Sequence, residues 1–427
     1  MWSVTLTSKK HCVWRRLKRG PLSMTLTNLL RLPFRYKPWR AAHLRLMLDD
    51  LGALRNEAAS DHLPHMNAAL DWLCHAQDIR QGLADAGSVS AGWSFEDAWL
   101  PGYPETTGYI IETFFAAARV TGRTDLHQRA LRMLDWELSL QSSEGAFPGH
   151  YGEPGSHPVI FNQGQILHGL IAGYTQAGRQ DCLAAAIRAG EWLVRQQDPD
   201  GCFRRHEHNN VPHVYNTRGI WPLASLGQLT GREDFTAAAR RNLDWALRQQ
   251  TECGWYRHNA FVPAQDPFTH TIAYAIRGFL ESAIILGDRR YLASAEKAAQ
   301  ALLTRQRADG WLAGTYADGW VPTARYACLT GLAQMALCWL RLAHITSKPV
   351  YRAAAAKAIG YVKRTQRLHH QDPAIRGAIA GSFPIWGGYS RFEYPNWAAK
   401  FFVDALIMSE TNEVIPPVPS NAVGLSG

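Results

Sequence analysis

The segment 201–218 is the densest stretch of this chain in groups that transfer protons or hold anions. It reads Arg204-Arg205-His206-Glu207-His208-Asn209-Asn210 and then His213-Val214-Tyr215-Asn216-Thr217-Arg218. Five other segments share its character. Segment 93–107 carries Trp93-Ser94-Phe95-Glu96-Asp97-Ala98-Trp99 and Tyr103-Pro104-Glu105, and segment 146–163 carries His150-Tyr151 and ends at Asn162-Gln163. Segment 254–270 holds Arg257-His258-Asn259 and Asp266-Pro267-Phe268-Thr269-His270. Segment 311–330 holds Tyr316, Asp318, Trp320, Arg325 and Tyr326, and segment 376–397 holds Arg376, Trp386, Tyr389, Arg391, Glu393, Tyr394, Asn396 and Trp397.

Two chemistries suit such a set. In the first, Arg and Asn neutralise a carboxylate, a His or Tyr removes the neighbouring carbon-bound proton, and a Tyr returns one to the leaving oxygen. That is lyase- or epimerase-like work on an acidic sugar, with His213, Tyr215 and Arg218 clustered round its carboxylate; Glu105 and His270 complete the candidate catalytic residues. The second is glycoside hydrolysis, which needs two positioned carboxylates. Asp97, Glu105, Asp266 and Glu393 are available for it. Glu105 also stands at a helix start, where the dipole favours a carboxylate. The residues expected to contact substrate are Trp93, Asp97, His150, Tyr151, Asn216, His258, Tyr326, Trp386, Arg391, Glu393 and Asn396. His206 and His208 have no third ligand at helical spacing, so no metal is expected, and no cofactor.

The elements that must position these residues follow from an internal repeat. An aromatic residue precedes a Gln by five positions in Trp72/Gln77, Trp136/Gln141, Trp192/Gln197, Trp245/Gln250 and Tyr361/Gln366. Ala301/Gln306 keeps the Gln alone. Successive copies lie 64, 56, 53, 56 and 60 residues apart. A glycine turn runs in step: Gly122, Gly178, Gly231 and Gly287, with Ser347 in the matching place of the next copy. Each repeat reads as an apolar helix ending at that turn, then an amphipathic helix ending at the Gln. Six such hairpins predict an all-α (α/α)6 toroid, a six-hairpin barrel, rather than an open solenoid. The barrel spans 61–411, after a basic extension over 1–60 and before a flexible tail over 412–427. In a toroid the six long segments all lie at one mouth, and the short charged turns at the other.

Composition agrees with one large core. The 427 residues are 46% hydrophobic and 19% charged, with 16 Trp, 15 Tyr and 15 Phe. This excludes a disordered chain. The net charge of +9 invites a nucleic-acid partner, but eleven of the 45 Lys and Arg residues fall within 1–45, where there is no Asp or Glu. The remainder carries 34 basic against 36 acidic residues, so nucleic acid is not the expected partner. The arm suits weak contact with an anionic membrane surface. It also holds Arg15-Arg16, a weak twin-arginine signal, and Met24, an alternative start. Seven scattered cysteines without a CxxC pair argue against a disulfide framework, and the expected compartment is the cytoplasm.

Several of the same segments resemble one family. Tyr103-Pro104-Glu105-Thr106-Thr107-Gly108-Tyr109-Ile110-Ile111, Phe161-Asn162-Gln163-Gly164-Gln165 and Thr269-His270-Thr271-Ile272-Ala273-Tyr274 resemble the VpsJ-like exopolysaccharide biosynthesis family. So do Ile379-Ala380-Gly381-Ser382-Phe383-Pro384-Ile385-Trp386-Gly387 and Tyr394-Pro395-Asn396-Trp397-Ala398-Ala399-Lys400-Phe401-Phe402. The resemblance covers roughly residues 60–410. It implies a bacterial polysaccharide pathway and kinship with six-hairpin glycosidases, polysaccharide lyases and sugar epimerases. The Gln-x-x-Asp-Gly pieces resemble the repeats of triterpene cyclases, but the Asp-x-Asp-Asp acid of those enzymes is absent. The expectation is a carbohydrate-active protein on a poly- or oligosaccharide, lyase- or epimerase-like before hydrolytic. A non-catalytic glycan-binding or assembly protein is the third reading.

Overall fold

The computed structural model describes residues 34–52, 54, 61–152 and 156–415. After a first helix, α1 (Ala41–Leu51), two sets of helices alternate. The outer set is α2 (Leu63–Asp78), α4 (Thr124–Leu140), α6 (Gln180–Gln196), α8 (Glu233–Leu247), α10 (Arg289–Leu303) and α12 (Pro349–Thr365). The inner set is α3 (Pro104–Thr121), α5 (Ile160–Ala177), α7 (Thr217–Thr230), α9 (Thr269–Leu286), α11 (Leu329–Thr346) and α13 (Asn396–Thr411).

The two sets bury differently, as their sequences require. Nearly every residue of α9 is buried, because it is apolar on all sides. In α10 the buried residues are Tyr291, Ser294, Ala295, Ala298, Ala299 and Leu302, the single stripe of an amphipathic helix. Each inner helix packs on the next, and α13 packs on α3, so the ring of six closes. The outer partner of α13 is α2, so the start of the barrel covers its end. This is the expected (α/α)6 toroid.

The repeated Gln is the staple between hairpins. Gln141 Nε2 donates to the Gly145 and Ala185 carbonyls, at 3.0 and 2.8 Å. Gln197 does the same to Gly201 and Ala238, and Gln250 to Gly254 and Ser294. Gln366 closes the circle, donating to Gly377 at 2.8 Å and to His65 of α2 at 3.1 Å. Each bond satisfies a carbonyl withdrawn from water and is worth about 1 kcal/mol. The loop glycine beside each staple is fixed by closeness. At Gly201, with φ of +90°, a Cβ would stand 2.1 Å from the Arg241 carbonyl oxygen of α8. The inner helices end in left-handed residues as expected. Ser347 and Asn412 adopt φ of 56° and 58° where the other copies use glycine.

All the short strands lie on the loops leading into the inner helices. β1 (Gly92–Ser94) is the centre of an antiparallel sheet with β2 (Ala98–Trp99) and β7 (Glu393–Pro395), pairing Trp93 with both Trp99 and Tyr394. β3 (Tyr316–Ala317) pairs with β4 (Val321–Pro322), and β5 (Ala327–Cys328) with β6 (Ser382–Phe383).

The end of the basic arm is docked on this face. Arg35 Nε donates to Glu96 Oε2 at 2.5 Å, and Lys37 Nζ to the Glu96 carbonyl at 2.6 Å. His43 stacks on Phe95 with ring centres 4.0 Å apart. Asp50 accepts from Arg367 and from the Ile385 amide, at 2.6 and 2.8 Å. Residues 34–52 therefore belong to the rim of the ring, although the sequence reading placed them in an extension. The other basic residues from Lys9 to Arg31, the Arg15-Arg16 pair, Met24 and the tail beyond 415 lie outside the described residues. Among the described residues, no helix is long and apolar enough to cross a membrane.

Candidate functional site

The N-termini of the inner helices converge on one mouth, and close contact brings them together. Gly164 of α5 faces Gly219 of α7 so tightly that a Cβ on Gly164 would fall 2.3 Å from the Gly219 Cα. The first turns of these helices carry Glu105, Asn162, Arg218, His270 and Asn396.

Glu105 is 7% exposed. Burial lifts its carboxyl to about 7, opposed by the Tyr103 hydroxyl, which donates to Oε2 at 2.6 Å. Its place in the first turn of α3 also favours the ionised form. A second carboxyl shares the mouth. Glu207 is 5% exposed, and burial pushes it well above the usual carboxylate range. Its Oε1 accepts from Asn216 Nδ2 at 2.5 Å, while the buried Oε2 has no partner. The phenol of Tyr215 feels both carboxyls, which help burial raise it well above 10. Its hydroxyl is buried without a hydrogen bond.

Burial disfavours the charged form of three histidines at the mouth, His213, His270 and His208. His213 stacks on Tyr215 with ring centres 4.4 Å apart and donates from Nε2 to the His208 carbonyl at 2.9 Å. Burial lowers it to about 4. His270 donates from Nδ1 to Gln334 Oε1 at 2.8 Å, and burial lowers it to about 3. His208 is lowered well below its ordinary value by burial, with His213 and His150 adding to the effect.

Aromatic rings form a belt around these groups. Tyr103 meets Tyr151 and Trp397, and Trp397 Nε1 donates to the Tyr389 hydroxyl at 2.8 Å. Tyr389 meets Phe268 and His270, Phe268 meets Phe261, Phe261 meets Tyr215, and Tyr215 meets Phe161. Buried amide atoms without partners stand nearby in sequence: both ends of Gln165, both ends of Asn259, and Asn216 Oδ1. An apolar belt with a few orphaned polar atoms is how a protein presents itself to a polyhydroxylated ligand.

The expected site residues fall into three groups. Glu105, His213, Tyr215 and His270 come together at the mouth, with Asn216 bonded to Glu207, Tyr151 against Tyr103, and His150 near His208. A second group sits on the rim. Trp93 is held in the β1–β2–β7 sheet against Phe95 and Tyr394. Asp97 is exposed, with its amide bonded to Ser94 Oγ, and Glu393 is the first residue of β7. Tyr326 packs against Gly387 and Gly388, in electrostatic reach of the exposed Arg391, and Trp386 is partly buried beside them. His258 is exposed, and its carbonyl receives the Val214 amide. The third group serves the scaffold or the interior. Asn396 Nδ2 ties α13 to Ser90 and Thr106, both at 2.9 Å. Arg218 sends its guanidinium inward, over Trp221, Tyr274 and Phe401. It does not join His213 and Tyr215 as a carboxylate clamp.

The residue that sequence reasoning left out is Glu207. It stands in the densest loop, between His206 and His208, and carries no role in the sequence reading. Its spacing from Asn216 was the available signal. Among the described residues, no three His, Cys, Asp or Glu side chains gather as metal ligands.

Comparison with known proteins gives one family. The model of the β-L-arabinofuranosidase GH127 catalytic domain matches residues 55–314. No curated protein matches the chain. Among solved structures, an unsaturated glucuronyl hydrolase from Bacillus sp. GL1 is similar at 17% identity, covering 82% of this chain and 97% of that one, with a TM-score of 0.64. A cellobiose 2-epimerase from Bacillus thermoamylovorans is similar at 13% identity, covering 86% of this chain and 99% of that one, with a TM-score of 0.63. A sugar epimerase from a ruminal bacterium is similar at 12% identity, covering 81% and 97%, with a TM-score of 0.65.

Proposed function

Because the chain belongs to the β-L-arabinofuranosidase GH127 catalytic-domain family, we propose that it hydrolyses a glycosidic bond through Glu207 and Glu105. The chain is a carbohydrate-active enzyme with a glycoside hydrolase-like catalytic domain. The observation that carries the reading is the pair of buried carboxyls around Tyr215, both raised by burial but differently hydrogen-bonded.

The roles follow from that difference. Burial favours the protonated form of Glu207, and its Oε2 has no internal partner, so it is the general acid toward the leaving oxygen. The Tyr103 hydroxyl bonds the ionised form of Glu105 at the start of α3, so Glu105 is the carboxylate that attacks the anomeric carbon or activates water. Tyr215 lies in reach of both and donates to the charge that develops between them. The aromatic belt stacks on the sugar rings. The substrate is an oligo- or polysaccharide, and the VpsJ-like motifs support a bacterial polysaccharide pathway. The test is a panel of aryl glycosides and polysaccharides led by a β-L-arabinofuranoside, read by released reducing sugar.

One observation favours the second reading, lyase- or epimerase-like proton transfer on an acidic sugar. Burial disfavours the charged form of His208, His213 and His270 at the mouth, and His213 Nδ1 has no partner. An unsaturated or epimerised product from the same panel, instead of hydrolysis, would select it. Saturable binding without turnover would select the glycan-binding reading.

A further inference from the structure

Below the mouth, Arg218 is a buried cation whose nearest carboxylates, Glu112 and Asp404, are also bonded to Lys400. It is 3% exposed, and its buried Nε has no hydrogen-bond partner. Those carboxylates are shared with a second cation. Lys400 is held by Glu112 at 3.0 Å and Asp404 at 2.6 Å. Glu281 is shared by Arg277 at 2.7 Å and Arg341 at 3.1 Å. The interior therefore sets Arg218, Arg277, Arg341 and Lys400 against Glu112, Glu281 and Asp404, one cation in excess. His168, close to Glu112, is kept neutral by burial. Two of these cations share one indole: Arg218 lies 4.7 Å and Arg277 5.5 Å from the Trp221 ring centre. Like charges this close, away from water, raise the energy of the fold unless an anion joins them.

A cavity adjoins both. Arg218, Arg277, Gln334, Tyr274, Asp404 and Ile415 line it, together with apolar side chains. Both Asp404 oxygens are already engaged, Oδ2 by Lys400 and Oδ1 by the Thr113 hydroxyl at 2.7 Å. Gln334 accepts from His270 through Oε1, and its amide donates toward the Tyr274 hydroxyl, leaving one Nε2 hydrogen to face the cavity. At the far side the Ile415 carbonyl takes an Arg277 N–H at 3.2 Å, so the chain beyond α13 borders the cavity opposite the mouth.

We infer that this cavity is a binding site for one small monovalent anion of the halide class, held by Arg218, Arg277 and the Gln334 amide. The anion supplies the charge the protein omits, and it fixes the Gln334 side chain that receives the His270 proton at the floor of the mouth. The proposal is independent of which glycosidic chemistry the mouth performs.

The experiment is thermal unfolding of the full chain while sulfate is replaced by chloride or bromide at constant ionic strength. Replacing a surface-excluded salt by halide lowers stability nonspecifically, so a rise in Tm that saturates reports a site. The expected result is that rise, with bromide located by anomalous scattering beside Arg218. Arg218→Gln abolishes the shift. Gln334→Ala, which keeps every cation, raises the half-saturating halide concentration about tenfold through loss of one charge-assisted hydrogen bond. No saturable rise, or bromide bound elsewhere, overturns the proposal. A rise produced by glucuronate and not by halides also overturns it, and reassigns the cavity to the carboxylate of a substrate.

Discussion

The Tyr103 hydroxyl donates to Glu105 Oε2 across 2.6 Å, and this bond opposes the burial that lifts the same carboxyl to about 7. Removing it in Tyr103→Phe takes away a bond to the ionised form, so the Glu105 pKa rises further. The acid limb of the kcat/KM profile then moves up by about one pH unit, the worth of one charge-assisted hydrogen bond. The pH–rate profile of the variant checks this, and an unmoved acid limb would contradict the role given to Glu105.

The same carboxyl makes a stability prediction of defined sign. The folded pKa is about 7 and the ordinary value is 4.5, so the folded form holds its proton longer than the unfolded form. Stability is full below about pH 4.5 and is lost as pH rises toward 7. Glu105→Gln removes that loss. Its Tm relative to wild type should therefore increase between pH 5 and pH 8, toward a gain of about 3 kcal/mol. Unfolding scans across that range would show it, and a flat difference would refute it.

Ring closure can be weighed staple by staple. Gln366 joins the end of α12 to α2 by donating to the His65 carbonyl and accepting from His65 Nδ1 at 2.6 Å, and it also donates to the Gly377 carbonyl. Gln306 is seen to donate to the Ala354 carbonyl alone, at 2.9 Å. Gln366→Ala should cost about 2–3 kcal/mol and Gln306→Ala about 1 kcal/mol in urea unfolding. Equal losses would mean that closure of the ring carries no particular weight.

Two glycines separate strain from collision. Gly178 has φ of +69° and open space where a Cβ would go, whereas Gly201 has φ of +90° and a carbonyl 2.1 Å away. Gly178→Ala should cost about 1 kcal/mol, the left-handed penalty alone. Gly201→Ala should cost at least about 3 kcal/mol, because α8 must move. Comparable midpoints for the two variants would contradict this account of the loop.

The ring was legible because it is written as a repeat. The aromatic–Gln spacing, the turn glycines and the apolar inner helices each reflect a contact made once per hairpin. Ala301 stands where other copies have an aromatic and Ser347 where they have glycine, yet Gln306 still bonds the Ala354 carbonyl and Ser347 still takes the left-handed turn. The site was legible only in outline. Its loops were found from their composition, but which loop side chains are buried is a tertiary fact. Glu207 turns inward to Asn216 while Asp97 faces solvent, and both look alike in a polar stretch. Arg218 sits where an anion binder was expected, yet its neighbours Glu112, Lys400 and Asp404 come from other inner helices, out of sequence reach.

The central claim is that Glu105 and Glu207 act together on a glycosidic bond. It is tested most directly by measuring kcat for sugar release from the best substrate of the glycoside panel with wild type, Glu105→Gln and Glu207→Gln, each confirmed folded by its Tm. The predicted result is hydrolysis by wild type and a loss of about 10²–10⁴-fold in each variant. Release at the wild-type rate by either folded variant would contradict it.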